Sequence, residues 1–160
     1  MKTLIIFLSL SILVAIFIKV TRKPSIRRVS NPLSLLEGAV CFMNEQNIKT
    51  LTPVPLHGRV DQVFKLRDGR LLILDTKVRE RVKAYPSDIV QLTVYAIILK
   101  YQGHNVCPFA LLRFPLPDNK AAYLYVNLYP ESKIIALYQR YQAIKNRYLK
   151  PRCTCHKHKV

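Results

Sequence analysis

Acidic residues are scarce in this 160-residue chain. Nine Asp and Glu stand against twenty-six Lys and Arg, giving a formal net charge of +17 and a pI near 10.1. So basic a chain is matched to a polyanion, whether nucleic acid, an anionic membrane surface or both, and each carboxylate it keeps calls for its own explanation. Cysteine is also sparse. Four in a chain of this length exclude a disulfide scaffold. No internal repeat is apparent. What is abundant is apolar: 50% hydrophobic against 22% charged residues excludes wholesale disorder, and the length fits one domain with at most a short appendage.

Residues 3–18 lack charge altogether and are nearly all Leu, Ile, Phe, Val and Ala. Lys19 can snorkel, so the usable span reaches about residue 20, near the lower limit of about 17–25 residues for a transmembrane helix. No small-x-small cleavage site follows, which argues against a secretory signal peptide. Only Ser9 and Ser11 interrupt the segment, so it has none of the polar face that a helix docked on a core would carry. Lys2 precedes it, while Lys19, Arg22, Lys23, Arg27 and Arg28 follow it. The positive-inside rule then predicts a single-pass membrane protein whose C-terminal domain is cytoplasmic, a compartment that suits reduced cysteines.

The expected organisation is an anchor over 1–20, a basic linker over 21–34, an α/β domain over 35–150 and a basic tail with Cys and His over 151–160. Lys2 and Lys19 are the only basic residues before position 21, so the excess persists beyond the anchor: twenty-four basic residues beside all nine acidic ones. Pro24, Ser25, Ser30, Asn31 and Pro32 give the linker its tether-like composition. Residues 33–46 have weak helical periodicity. Residues 59–66 and 70–77 read as strands around Asp68-Gly69, a strong hairpin signal. Residues 87–102 read as a helix with Ser87 as N-cap, Asp88 in its first turn and Gly103 as its stop. Strands are expected at 106–114 and 121–128, and a basic amphipathic helix at 131–149.

The hairpin carries the chemistry. A two-residue Asp68-Gly69 loop would pair Asp61 with Thr76 and send Asp75 to the other face. A three-residue loop, Arg67-Asp68-Gly69 with Gly69 left-handed, shifts the register by one. Leu66 then pairs with Arg70, Asp61 with Asp75 and Arg59 with Lys77. Two carboxylates directly opposite repel each other. A cation between them relieves this, and oxygen ligands suit Mg2+ or Mn2+. A lysine two residues on can orient water and stabilise charge on a phosphate. The plainer alternative, surface aspartates paired with lysines, fits poorly with Leu71-Leu72-Ile73-Leu74, which marks a strand buried up to Asp75. Gln91 and Tyr95 are four apart on one helix face, where they could contact a phosphate or base, or simply pack.

Gly58-Arg59-Val60-Asp61, Asp68-Gly69, Leu74-Asp75-Thr76-Lys77 and Gln91-Leu92-Thr93-Val94-Tyr95-Ala96 together resemble the RecB-like branch of the PD-(D/E)XK nuclease superfamily, with its G-x-x-D strand, D/E-x-K strand and Q-x-x-x-Y helix. The resemblance covers about residues 56–99. It implies a restriction-endonuclease-like core, a mixed central sheet flanked by helices, and metal-dependent hydrolysis of DNA phosphodiester bonds. Asp61, Asp75 and Lys77 would be catalytic. Asp61, Asp75 and the Thr76 main-chain carbonyl would bind Mg2+ or Mn2+, and Gln91 and Tyr95 would orient the DNA. The family often completes its metal site with an upstream His or Glu; the candidates are His57, Glu37 and Glu45, none in a recognisable motif. Some relatives, the CRISPR-associated exonucleases among them, bind an iron-sulfur cluster through one cysteine before the core and three after it. Cys41, Cys107, Cys153 and Cys155 are similar to that pattern but one tail cysteine short. Cys153, Cys155, His156 and His158 could instead hold zinc, or Cys41 and Cys107 could simply be buried beside a loose tail. The competing functional class is a non-catalytic protein that holds nucleic acid or anionic lipid at the membrane, using the same fold or only its charge.

Overall fold

The structure is a computed structural model and describes residues 26–29, 33–117 and 119–147. The expected anchor and the Cys/His tail lie outside the described residues. Among those described, no helix is long and apolar enough to cross a membrane.

The fold is built around one strand. In β4 (Leu71–Thr76) residues Leu71 to Asp75 are all buried, because both faces of the strand are covered. Leu71 and Ile73 point into the larger core beneath helix α2 (Pro86–Tyr101); Leu72 and Leu74 point into a smaller one on the other face. β3 (Leu56–Lys65) pairs with β4 antiparallel, and β5 (Phe109–Pro115) pairs with it in parallel after the α2 crossover. β2 (Val40–Thr50) flanks β3. β6 (Ala121–Asn127) returns antiparallel beside β5, and β1 (Ile26–Val29) closes that edge against β6. The result is a mixed six-stranded sheet in the order β1-β6-β5-β4-β3-β2, flanked by helices.

Helix α2 covers the sheet because its sequence is apolar on most sides: Ile89, Leu92, Ala96, Ile98 and Leu99 are buried. They pack with Val60, Val63, Ala110, Leu112 and Phe114 from β3 and β5. Helix α3 (Glu131–Lys145) is tied to α2 rather than to the sheet. Glu131 accepts from Lys100 Nζ at 2.8 Å and from Tyr101 Oη at 2.7 Å, and Ile134 is the buried residue of α3.

The chain departs from its sequence-based expectation in four places. Residues 26–29, expected within the linker, form β1, which pairs from Ile26↔Val126 to Val29↔Tyr123 and so protects the backbone edge of β6. The helical periodicity of 33–46 yields only α1 (Leu33–Leu36). Gly38 then turns at φ +69°, and the following residues join β2, where pairing with β3 outweighs their weak local preference. Ser87 is not the cap of α2. Tyr85 is, with Pro86 in the first turn and the Asp88 carboxylate accepting from the Tyr85 N–H at 2.8 Å. The strand expected at 106–114 begins at Phe109; Val106 makes only a single parallel bridge to Leu71.

The β3–β4 register is the three-residue-loop alternative. Gln62↔Leu74 through Lys65↔Leu71 are paired, Leu66 N donates to Arg70 O, and Gly69 sits at φ +84°. Arg67, Asp68 and Gly69 therefore form the turn. A Cβ at Gly69 would meet nothing within 4 Å, so the glycine serves the backbone angle alone. Gly69→Ala should accordingly cost about 1 kcal/mol, the left-handed penalty for an L-residue, read as a shift in denaturation midpoint with unchanged slope.

Candidate active site

The alternation that buries Leu71 and Ile73 under α2 carries Asp75 to the same face, at the end of the strand and 1% exposed. The β3–β4 ladder ends at Gln62↔Leu74, one residue before the expected Asp61–Asp75 pair, but the Asp61 charge is near enough to act on Asp75. The Asp61 side chain crosses to β4, where its Oδ2 accepts from Thr76 N at 2.9 Å. Val60 and Val63 both lie in the α2-side core although three apart, so the regular alternation of β3 breaks around Asp61.

Lys77 reaches back over Asp75, with Nζ 2.8 Å from Oδ2. The same Nζ donates to Gln91 Oε1 at 2.9 Å. Gln91 Nε2 donates to Tyr95 Oη at 2.7 Å and more weakly to Asp75 Oδ1 at 3.4 Å. Sequence reasoning placed these five side chains in one site; the structure brings Asp61, Asp75, Lys77, Gln91 and Tyr95 together through these contacts. The glycine of the G-x-x-D segment gains a reason here. A Cβ at Gly58 would overlap Cε1 of the Tyr95 ring, so only glycine lets α2 sit close enough to deliver the phenol.

Burial pushes the Asp75 carboxyl above the ordinary aspartate range. Lys77 opposes that shift, while Asp61 and Asp88 add to it. Burial likewise raises the Tyr95 phenol, with Asp75 and Asp61 reinforcing the effect. Asp75 Oδ2 is buried, and its partner is the Lys77 ammonium at 2.8 Å. A buried carboxylate near a second carboxylate is an arrangement that a hard divalent cation relieves.

The proposed completion of the metal site is not assembled. Among the described residues, no group of three or more His, Cys, Asp or Glu could hold a metal. Glu45 is exposed and ion-paired with Arg59 at 2.6 Å. His57 is an exposed residue of β3 paired with Lys49, and Glu37 is exposed just after α1. Cys41 is exposed on β2, not buried as one reading held, whereas Cys107 is buried in the smaller core, where burial raises its thiol pKa. Cys153 and Cys155 lie outside the described residues.

Two arginines of the site region had no signal in the sequence. Arg113 of β5 aligns with Thr76 in the parallel ladder; its carbonyl accepts from Lys77 N at 2.8 Å, and its Nε donates to Thr76 Oγ1 at 3.1 Å. Arg79 grips the buried Asp88 in a two-pronged ion pair, with both bonds 2.7 Å. Burial alone would raise the Asp88 carboxyl, but Arg79 and the Tyr85 N–H outweigh it and hold it below the usual range. Lys77 and Arg79, on the segment leaving β4, are thus each fixed by a carboxylate.

Because the raised Asp75 pKa means that its charge costs folding energy, the stability it contributes is lost as pH rises through its folded-state value. Asp75→Asn should therefore raise the melting temperature at neutral pH in EDTA. Mg2+ or Mn2+ should raise that of the wild type by several degrees at about a hundredfold excess over Kd, and should leave Asp75→Asn unmoved. Differential scanning fluorimetry reads both effects.

No family model matches this chain, and no curated protein matches it. Among solved structures, the crystal structure of SSO0001 is similar, with 19% sequence identity and a TM-score of 0.45 over 71% of this chain and 55% of that one. The chain thus spans about half the length of that neighbour.

Proposed function

We propose that this chain is a metal-dependent deoxyribonuclease with a restriction-endonuclease-like core, of the RecB-like PD-(D/E)XK kind. In this reading the apolar segment 3–18 anchors it in a membrane with the domain on the cytoplasmic side. The observation that carries the proposal is the nearness of Asp61 and Asp75 at one end of the β3–β4 hairpin, with Asp75 buried and Lys77 over it as its one cation among the described residues. Asp61, Asp75 and the Thr76 main-chain carbonyl would hold Mg2+ or Mn2+. The bound ion supplies electrophilic stabilisation of the scissile phosphate.

The chain's own residues divide the remaining work. Lys77 donates hydrogen bonds to an attacking water and to phosphate oxygen, where a fixed positive charge counts most. Gln91 holds the Lys77 ammonium in place through Oε1 and keeps Tyr95 in line through Nε2. Its amide and the Tyr95 phenol border the position a nucleic-acid strand would take. The excess of basic residues supplies sequence-independent attraction for the phosphate backbone.

A non-catalytic nucleic-acid-binding or anionic-lipid-binding module is the second reading. The observation that favours it is that Lys77 already neutralises Asp75 and no third ligand joins the pair among the described residues.

Full-length protein with labelled single- and double-stranded DNA, in Mg2+, Mn2+ or EDTA, separates the two. Cleavage in metal and none in EDTA is expected. Asp61→Ala, Asp75→Ala and Lys77→Ala should each lower the rate by at least about a hundredfold while DNA binding survives, and Tyr95→Phe should be milder. Folded wild-type protein that cuts no substrate in either metal would leave the binding module in its place. Affinity for DNA should fall at least about tenfold as salt rises from about 50 to about 200 mM, and a flat salt response would mean that the positive charge serves something other than phosphate.

A further inference from the structure

The segment leaving the site, from Lys77 to Tyr85, carries a cation at every second position: Lys77, Arg79, Arg81 and Lys83, opposed only by Glu80. These cations are not equivalent. Lys77 is bound to Asp75, and Arg79 is locked onto Asp88. Arg81 and Lys83 are exposed, and neither has an acidic partner in an ion pair among the described residues. The segment ends in Tyr85, a residue 41% exposed although it caps a helix whose body is largely buried. The Arg79 guanidinium lies 4.8 Å from the ring centroid and Lys83 Nζ lies 5.3 Å from it. Arg79, Glu80, Arg81 and Tyr85 line a cleft of about 600 Å3.

The Arg79–Asp88 lock gives this corner its rigidity. Asp88 also accepts from the Tyr85 N–H, so one buried carboxylate fixes both the arginine and the backbone that presents the ring. An exposed aromatic ring on a fixed backbone, beside cations without an acidic partner among the described residues, matches a nucleotide, which offers a π-face and an anion together. A duplex offers only its phosphates here, since its bases are already stacked. We propose that this cleft receives one unpaired nucleotide of a single-stranded nucleic acid, its base against the Tyr85 ring and its phosphate on Arg81 and Lys83. Lys83 leaves the ring for the phosphate as the base arrives, because base stacking outweighs an exposed cation–π contact. The proposal rests on the nuclease reading for its direction, in that the strand passes from this cleft toward Lys77 and the carboxylate pair. The binding itself does not depend on cleavage.

The test measures affinity of the full-length chain in detergent and EDTA for short labelled DNA and RNA oligonucleotides, each single-stranded and duplex, by fluorescence anisotropy. Tyr85→Ala should weaken single-strand binding about tenfold and leave duplex binding within about twofold, whereas Tyr85→Phe should retain wild-type affinity. Arg81→Ala should weaken single-strand binding, and Glu80→Gln should strengthen it, by removing a carboxylate that repels the phosphate. The Glu80→Gln arm holds even if Tyr85→Ala perturbs the helix cap. Similar loss for DNA and RNA assigns the cleft to the shared nucleotide chemistry, and a loss confined to one sugar narrows the ligand to that polymer. Equal loss for duplex and single strand on Tyr85→Ala, or wild-type single-strand affinity in Tyr85→Ala, would overturn the proposal. Cleavage is scored separately: a wild type that cuts but shows no Tyr85 dependence removes only this cleft, and one that binds through Tyr85 but does not cut removes only the nuclease.

Discussion

A charged group at the end of an apolar strand is the constraint around which the rest is arranged. Leu71 to Leu74 drive β4 into the middle of the sheet, and the strand's alternation then forces Asp75 beneath α2 as well. A buried carboxylate needs a counter-charge and donors, and the fold supplies them from two directions. Lys77 returns from the loop that follows, and Gln91 arrives on the helix that the same loop leads into. The connection from β4 to α2 is thus fastened at its start by Asp75 and near its end by Asp88. Hydrophobic burial places the acid, and electrostatics then dictates what must be near it.

The two aspartates differ in a way that suits unequal roles. Asp61 is partly exposed and tied to the β4 backbone through Thr76 N, so its position is set by the sheet. Asp75 is enclosed, and its position is set by side chains that can themselves shift. Tyr95 feels both charges, and its close seat against Gly58 joins α2 to the first strand of the hairpin. Helix, hairpin and carboxylates therefore form one mechanical unit. A change in helix packing would be felt as a change in charge spacing.

Much of this was legible in the sequence because it depends on local rules. Asp-Gly fixed a turn and turn length fixed a register, which the ladder follows as far as Gln62↔Leu74, one residue short of the expected Asp61–Asp75 pair. The spacing of four between Gln91 and Tyr95 is a property of any helix. What escaped depends on tertiary pairing. Ile26 to Val29 look like a basic tether until β6 offers them an edge, and Val40 to Gln46 look weakly helical until β3 lies alongside. Nothing in Arg79 distinguishes it from Arg81, yet only one has a buried carboxylate within reach. Ser87 is a better cap by residue type than Tyr85, but the aspartate that secures the helix start does so through the backbone of Tyr85, which residue-type statistics do not weigh. The upstream His and Glu candidates lie away from the aspartates because Glu45 on β2, His57 on β3 and Glu37 just after α1 are all exposed to solvent.

The pairing of β1 with β6 has a kinetic consequence. Its partners, Ile26 and Val126, stand about a hundred positions apart, whereas β3 and β4 meet across a turn of three residues. On the ribosome β1 is among the first described segments to emerge, and its partner among the last. The hairpin can form as soon as it is synthesised, while β1 must wait for nearly the whole domain and then close the longest loop among the described strand pairings. During that interval β6, once made, has a bare edge, and β1 is an unpaired basic strand whose charge discourages it from pairing with a copy of itself. Arginine at positions 27 and 28 thus guards the chain against premature association at the stage when it is most exposed to it.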